Sequence, residues 1–202
     1  MGRNPGRDEK PEDGQFYARD EKGEGTLYYK GTLTEASDTV FLKIHADDKP
    51  YQTETARPAA DKSYRFAVRL KPGLINYRVE FGTKNGGQET VLHTVNDIVC
   101  GDAYLIDGQS NSLATDTREQ SPPVTSEWIR SYGRPPANAN DAPGNLWCKP
   151  VWKARKGEKA ELGWWGMELA KQLVESQKIP IFIINAAVGG MRMDLHQAGD
   201  SF

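Results

Sequence analysis

The chain has no apolar run approaching the roughly 20 residues that a bilayer-crossing helix requires, which excludes a helical membrane span. It has little cysteine. Cys100 and Cys148 are too few for a disulfide scaffold and neither belongs to a C-x-x-C pair; a single bridge between them stays open, and with it the redox compartment. An excess of either charge is also lacking, the formal net charge being -2. The one basic stretch, 153–159, is broken by Glu158 and followed by Glu161, which marks a solvated surface rather than a phosphate-binding face, so no nucleic-acid partner is expected. Residues 1–10 have no apolar h-region and hence no visible secretory signal. Histidine is scarce too, His45, His93 and His196 being all there is to serve as a general base. What remains, at 202 residues with 37% hydrophobic and 27% charged side chains, is an ordinary globular composition with room for one large domain or two small ones.

Residues 1–24 are dense in charge and carry Pro5, Pro11 and several glycines, a composition that buries too little surface to offset its ordering entropy, so a disordered polar arm is expected. From residue 25 the pattern turns to strands. Leu27, Tyr29 and Leu33 share one face of a period-2 run, as do Val40, Leu42 and Ile44, with Phe41, Lys43 and His45 opposite. The alternation is clearest in Tyr64, Phe66, Val68, Leu70 and in Ile75, Tyr77, Val79, Phe81, with Arg65, Arg69, Arg78 and Glu80 pointing the other way. Lys71-Pro72-Gly73-Leu74 joins those two runs and predicts a type II turn or a close relative; Asn85-Gly86-Gly87 predicts a second turn into residues 90–95. An antiparallel β-sandwich over residues 25–96 follows.

After Asp97 the alternation gives way to short apolar strands at 103–106 and 181–184, suited to the middle of a parallel sheet. Between them Trp165, Leu169, Leu173 and Met167, Ala170, Val174 recur at helical spacing from about 162 to 177. Strand, helix, strand predicts a βαβ unit. The segment 116–161 has little periodicity and reads as a long irregular insertion, of the kind that is usually functional.

The first of these strands stops at Gly108-Gln109-Ser110-Asn111. Ligands of α/β sheets bind just beyond the carboxyl ends of the strands, which makes Ser110 the candidate nucleophile. A serine hydroxyl needs a base within reach, an orienting carboxylate and donors for the developing oxyanion. The Ser110 backbone N–H, opening a helix, supplies one donor, and Ala187-Val188-Gly189-Gly190 after the next strand supplies another without an obstructing side chain. Each of these residues also has a structural role open to it: a serine caps helices, a glycine pair ends strands, and Trp128, Trp147 and Trp152 pack a loop onto a sheet or stack on a sugar.

Gly101-Asp102 with Gly108-Gln109-Ser110-Asn111, and then Ile184-Asn185-Ala186-Ala187-Val188-Gly189-Gly190, resembles the sialate O-acetylesterase branch of the SGNH hydrolases. The resemblance covers residues 97 to 195. It implies an α/β fold, in which an N-terminal antiparallel β-sandwich is followed by a partial SGNH-type parallel sheet with flanking helices (97–202), and an activity that removes acetyl groups from carbohydrate. It further implies Ser110 as nucleophile, Ser110 with Gly190 or Gly189 in the oxyanion hole, no metal or organic cofactor, and a periplasmic or secreted location. Gln109, Asn111, Arg192, Trp128, Trp147 and His196 are the candidate substrate contacts. Two motifs of that family, an asparagine that completes the oxyanion hole and a C-terminal Asp-x-x-His, have no counterpart here; Asp194-Leu195-His196 is one residue too short. The expectation is therefore an esterase fragment of feeble activity, with a non-catalytic carbohydrate-binding module or an inactive fragment as the alternative.

Overall fold

The computed structural model describes residues 8–115, 124–133, 146–153 and 160–190. The chain divides into two compact units, Met1–Cys100 and Gly101–Phe202. In the first unit the strands are β1 (Phe16–Ala18), β2 (Gly25–Thr32), β3 (Thr39–Ala46), β4 (Lys49–Ala56), β5 (Ser63–Leu70), β6 (Tyr77–Asn85) and the opening part of β7 (Gln88–Ile106). β2 and β5 pair antiparallel, while β4, β3, β6 and β7 form a second antiparallel set. The predicted alternation is what holds them together. Leu27 and Tyr29 from β2, Val40, Leu42 and Ile44 from β3, and Tyr64, Phe66, Val68 and Leu70 from β5 enter one core with Tyr77, Val79 and Phe81 from β6. Tyr29 and Tyr64 both stack on Phe81, with ring centroids 4.7 and 4.5 Å away.

Phe41, expected on the outer face, is buried as well. It lies over Gly82, where an added Cβ would come within 2.3 Å of the ring, and the Lys43 ammonium caps it 4.8 Å from the centroid. The Gly86-Gly87 turn is as expected for a two-residue hairpin, with φ of 55° and 90°. The turn at 71–74 is not of type II. Gly73 has φ 158°, far from the roughly +80° that turn requires, because β5 and β6 belong to different sets of strands and the chain there crosses over instead of folding back.

The expected disordered arm is a further correction, for residues 8–24. Phe16 is only 5% exposed, Val99 N–H donates to the Gln15 carbonyl at 3.1 Å and Gly14 N–H to that of Asn96 at 3.0 Å. Its charges have partners: the Arg69 guanidinium grips both oxygens of Asp20 at 2.9 and 3.0 Å and reaches Glu24 at 3.1 Å. That hydrogen bonding holds the Asp20 carboxyl down at about 2.

In the second unit the end of β7 leads to α1 (Ser110–Leu113), then β8 (Ile129–Gly133), β9 (Leu146–Cys148), α2 (Trp164–Gln177) and β10 (Ile181–Asn185). β10 runs parallel to β7, with Ile181 opposite Asp102 and Asn185 opposite Ile106, and parallel to β8 on its other side. The βαβ unit is present, and the fold is mixed α/β. Met167, Ala170 and Val174 of α2 pack on Ile106, Ile129, Ile181 and Ile183. Gly101 makes the close approach possible: an added Cβ there would fall 1.8 Å from the Pro180 carbonyl oxygen. The strand before Ser110 is less enclosed than its sequence predicts, since Leu105 is 68% exposed. Conversely, β8 and β9 lie inside the stretch expected to be irregular. β8 escapes notice because a charge interrupts it; Arg130 is 1% exposed, and its guanidinium donates to the carbonyls of Glu127 and Ile129.

Candidate active site

Beyond Ile106 the backbone turns out of the sheet in three residues. The Asp107 carboxylate accepts the Gly108 N–H at 2.8 Å, and Gly108 itself adopts φ 137° with Ser112 Oγ only 2.3 Å from where a Cβ would stand. No other residue fits there. Gln109 is extended (φ -116°), and its carbonyl accepts the N–H groups of Ser112 and Leu113, which closes the single turn of α1 and leaves Gln109, Ser110 and Asn111 exposed.

The loop after β10 comes to the same place. Ala186 N–H donates to the Ile106 carbonyl at 2.8 Å and Val188 N–H to that of Gly108 at 3.0 Å, so the parallel ladder of β7 and β10 runs on past the strand ends and fastens 186–188 alongside the 108–111 corner. Gly189 and Gly190 follow, both exposed, with the Leu113 side chain 3.9 Å from a Cβ added at Gly189 and open space around Gly190, whose φ is 76°.

One side chain ties these pieces together, and sequence reasoning did not single it out. The Asn185 carboxamide donates to the carbonyls of Ser112 at 3.1 Å and Leu162 at 2.9 Å and accepts the Ala187 N–H at 3.0 Å. It joins α1, the approach to α2 and the 186–190 loop. Gly163 completes the joint; with φ 73° and Leu113 O only 2.0 Å from a would-be Cβ, it admits α1 against the start of α2. Nothing in the pattern of residues marked Asn185 beyond its place in the quoted glycine motif.

The other expected contacts separate. Trp128 is a correction: its carbonyl accepts the N–H of Ile181, the first residue of β10, so it sits at the opposite end of the parallel strands from Ser110 and packs on the core there. Trp147 lies against Tyr132 and Phe182, with centroids 4.9 and 5.6 Å away, and serves the sheet surface. Trp152 packs on the α2 core, while its carbonyl accepts the Gly163 N–H. Asn111 contributes its carbonyl, which accepts the Trp165 indole N–H at 3.2 Å. Arg192 and His196, with Asp194, fall outside the described residues. His45 and His93 belong to the first unit, and the Tyr29 hydroxyl lies 2.7 Å from His93 Nδ1.

No protein-family model matches the sequence, and no curated protein matches it. Among solved structures the chain is similar to a carbohydrate acetylesterase from Xanthomonas citri, with 22% sequence identity and a TM-score of 0.43. The match covers 91% of this chain and 40% of that one, so the chain spans well under half the length of the acetylesterase.

Proposed function

We propose that the chain is a serine esterase acting on O-acetylated carbohydrate, with Ser110 as the nucleophile. The observation that carries this reading is the hydrogen bond from Val188 N–H to the Gly108 carbonyl at 3.0 Å, which sets an exposed serine beside a Gly-rich loop at adjoining parallel strand ends. In the proposed reaction Ser110 Oγ attacks the acetyl carbonyl carbon and gives its proton to a base. The carbonyl oxygen takes up negative charge and receives hydrogen bonds from the N–H groups of Ser110 and of Gly190 or Gly189. Collapse of the tetrahedral adduct expels the sugar oxygen, which takes the proton, and water then releases acetate from Ser110.

Carbohydrate as the acyl carrier, and a sialate-type enzyme within that class, rest on the sequence resemblance. Turnover by this chain is slow in our reading, because no histidine among the described residues accompanies Ser110. Without its base, a triad enzyme retains roughly 10³- to 10⁴-fold catalysis over water from binding and the oxyanion hole. Diisopropyl fluorophosphate is expected to modify Ser110, slowly, and to leave Ser110→Ala unmodified when both are analysed by peptide mass spectrometry. Absence of the adduct together with intact glycan binding would make the chain a binding module.

A further inference from the structure

Of the aromatic rings among the described residues of the second unit, one combines exposure with nearness to Ser110. Trp165, in the first turn of α2, is 36% exposed although it recurs with the apolar stripe of that helix, while Met167, Ala170 and Val174 are buried. Its indole N–H is committed to the Asn111 carbonyl at 3.2 Å, one residue from Ser110. A ring anchored this way has lost rotamer freedom before any ligand arrives, so a partner need not supply that ordering. With its N–H occupied, the ring has only its apolar π surface left to offer. Val188, 38% exposed, adds a second apolar group to the same strand ends through its bond to Gly108.

An apolar ring surface beside a hydroxyl nucleophile suits a molecule that is apolar on one face and bears its ester at the edge. A pyranose meets that description, since its axial C–H bonds line one face and its hydroxyl or acyloxy groups project around the rim. The three tryptophans for which sugar stacking stood open beside packing do not compete: Trp128 is at the far ends of the strands, and Trp147 and Trp152 are engaged in packing.

From this juxtaposition we infer that Trp165 is the platform on which the pyranose ring of the substrate lies while its ester reaches Ser110. The inference rests on the esterase reading above for the second half of that statement only. The test uses the full chain carrying Ser110→Ala, so that the ester survives, and titrates an O-acetylated sialoside by calorimetry. Trp165→Leu is expected to weaken binding roughly tenfold or more, in line with the loss of one ring contact. Trp165→Phe, which keeps a ring but loses the tether to Asn111, is expected to stay within about threefold of the parent. Diisopropyl fluorophosphate modification of the parent, which carries Ser110, is followed alongside as the separate readout of the esterase reading. Equal sugar affinity in parent and Trp165→Leu, or no measurable sugar binding by the parent, would overturn the inference. Trp165-dependent sugar binding without any Ser110 adduct would leave the platform standing and remove the esterase.

Discussion

The two units of this chain are held together by different means. In the first, long antiparallel strands alternate inward and outward with few departures, and stability resides in side chains: Tyr29, Tyr64 and Phe81 stacked at the centre of a continuous apolar core. In the second, β8 and β10 are five residues each and β9 only three, and the parts that matter are joined by main-chain contacts that tolerate almost no added atom. A unit of the first kind absorbs changes at its rim. One of the second kind fails at single positions, Gly108 and Gly163 beside α1 and Gly101 at the far ends of the same strands.

The largest expected effect tests that difference at Gly101. Alanine there would drive a methyl into the Pro180 carbonyl oxygen, 1.8 Å away, and is expected to cost about 3 kcal/mol by overpacking against main chain that cannot yield. Hydrogen exchange should show β10 amides losing protection while those of β2 and β5 keep theirs; equal loss in both units would break the contrast. Next in size is Asn185→Ala. It removes three hydrogen bonds and leaves two carbonyls and an N–H without that partner, a loss of about 2 kcal/mol. Faster exchange of the Val188 amide and a slower fluorophosphonate reaction at Ser110 are expected together, and an unchanged Val188 amide would show that the carboxamide is not the joint.

The smallest effect sharpens the comparison from the other side, through pH. Burial holds the His93 imidazole below its usual value of 6.5, with Lys10 pushing the same way and Asp13 opposing. The unfolded chain therefore binds the proton first. Stability of the first unit is complete above about 6.5 and declines as the pH falls from there towards the lowered folded value. Protonation would also make Nδ1 a donor whichever neutral tautomer precedes it, so the 2.7 Å contact with the Tyr29 hydroxyl would then run from imidazolium to oxygen. Urea unfolding followed between pH 7.5 and 5 (about the range in which an imidazole titrates) should show this slope, and His93→Gln should flatten it. A slope that persists in the variant would assign it to other groups.

How much of this the sequence disclosed depends on which kind of unit is being read. Period-2 alternation reports burial on one face directly, so β2, β3, β5 and β6 were legible residue by residue. It missed Phe41, because the space that ring occupies is created by the missing side chain of Gly82 on a neighbouring strand, a fact of pairing rather than of local pattern. The arm at 8–24 was misread for a similar reason: its charges look solvated until Arg69, distant in sequence, is brought to Asp20 and Glu24. In the second unit the βαβ order and the corner bearing Ser110 were legible from short apolar runs ending in glycine. The β8 strand was concealed by Arg130, and the exposure of Trp165 by a helical repeat that has two apolar stripes, only one of them fully buried.

Strand β7 is a single run of 19 residues, from Gln88 to Ile106. Its opening stretch is a partner of β6, and its last five residues are the track along which β10 is aligned. Anyone hoping to express the second unit alone, by starting a gene at the boundary between Cys100 and Gly101, would begin it inside this ribbon. Such a cut falls between the two ladders, since β6 pairs with the strand as far as Ile98 and β10 from Asp102 onward.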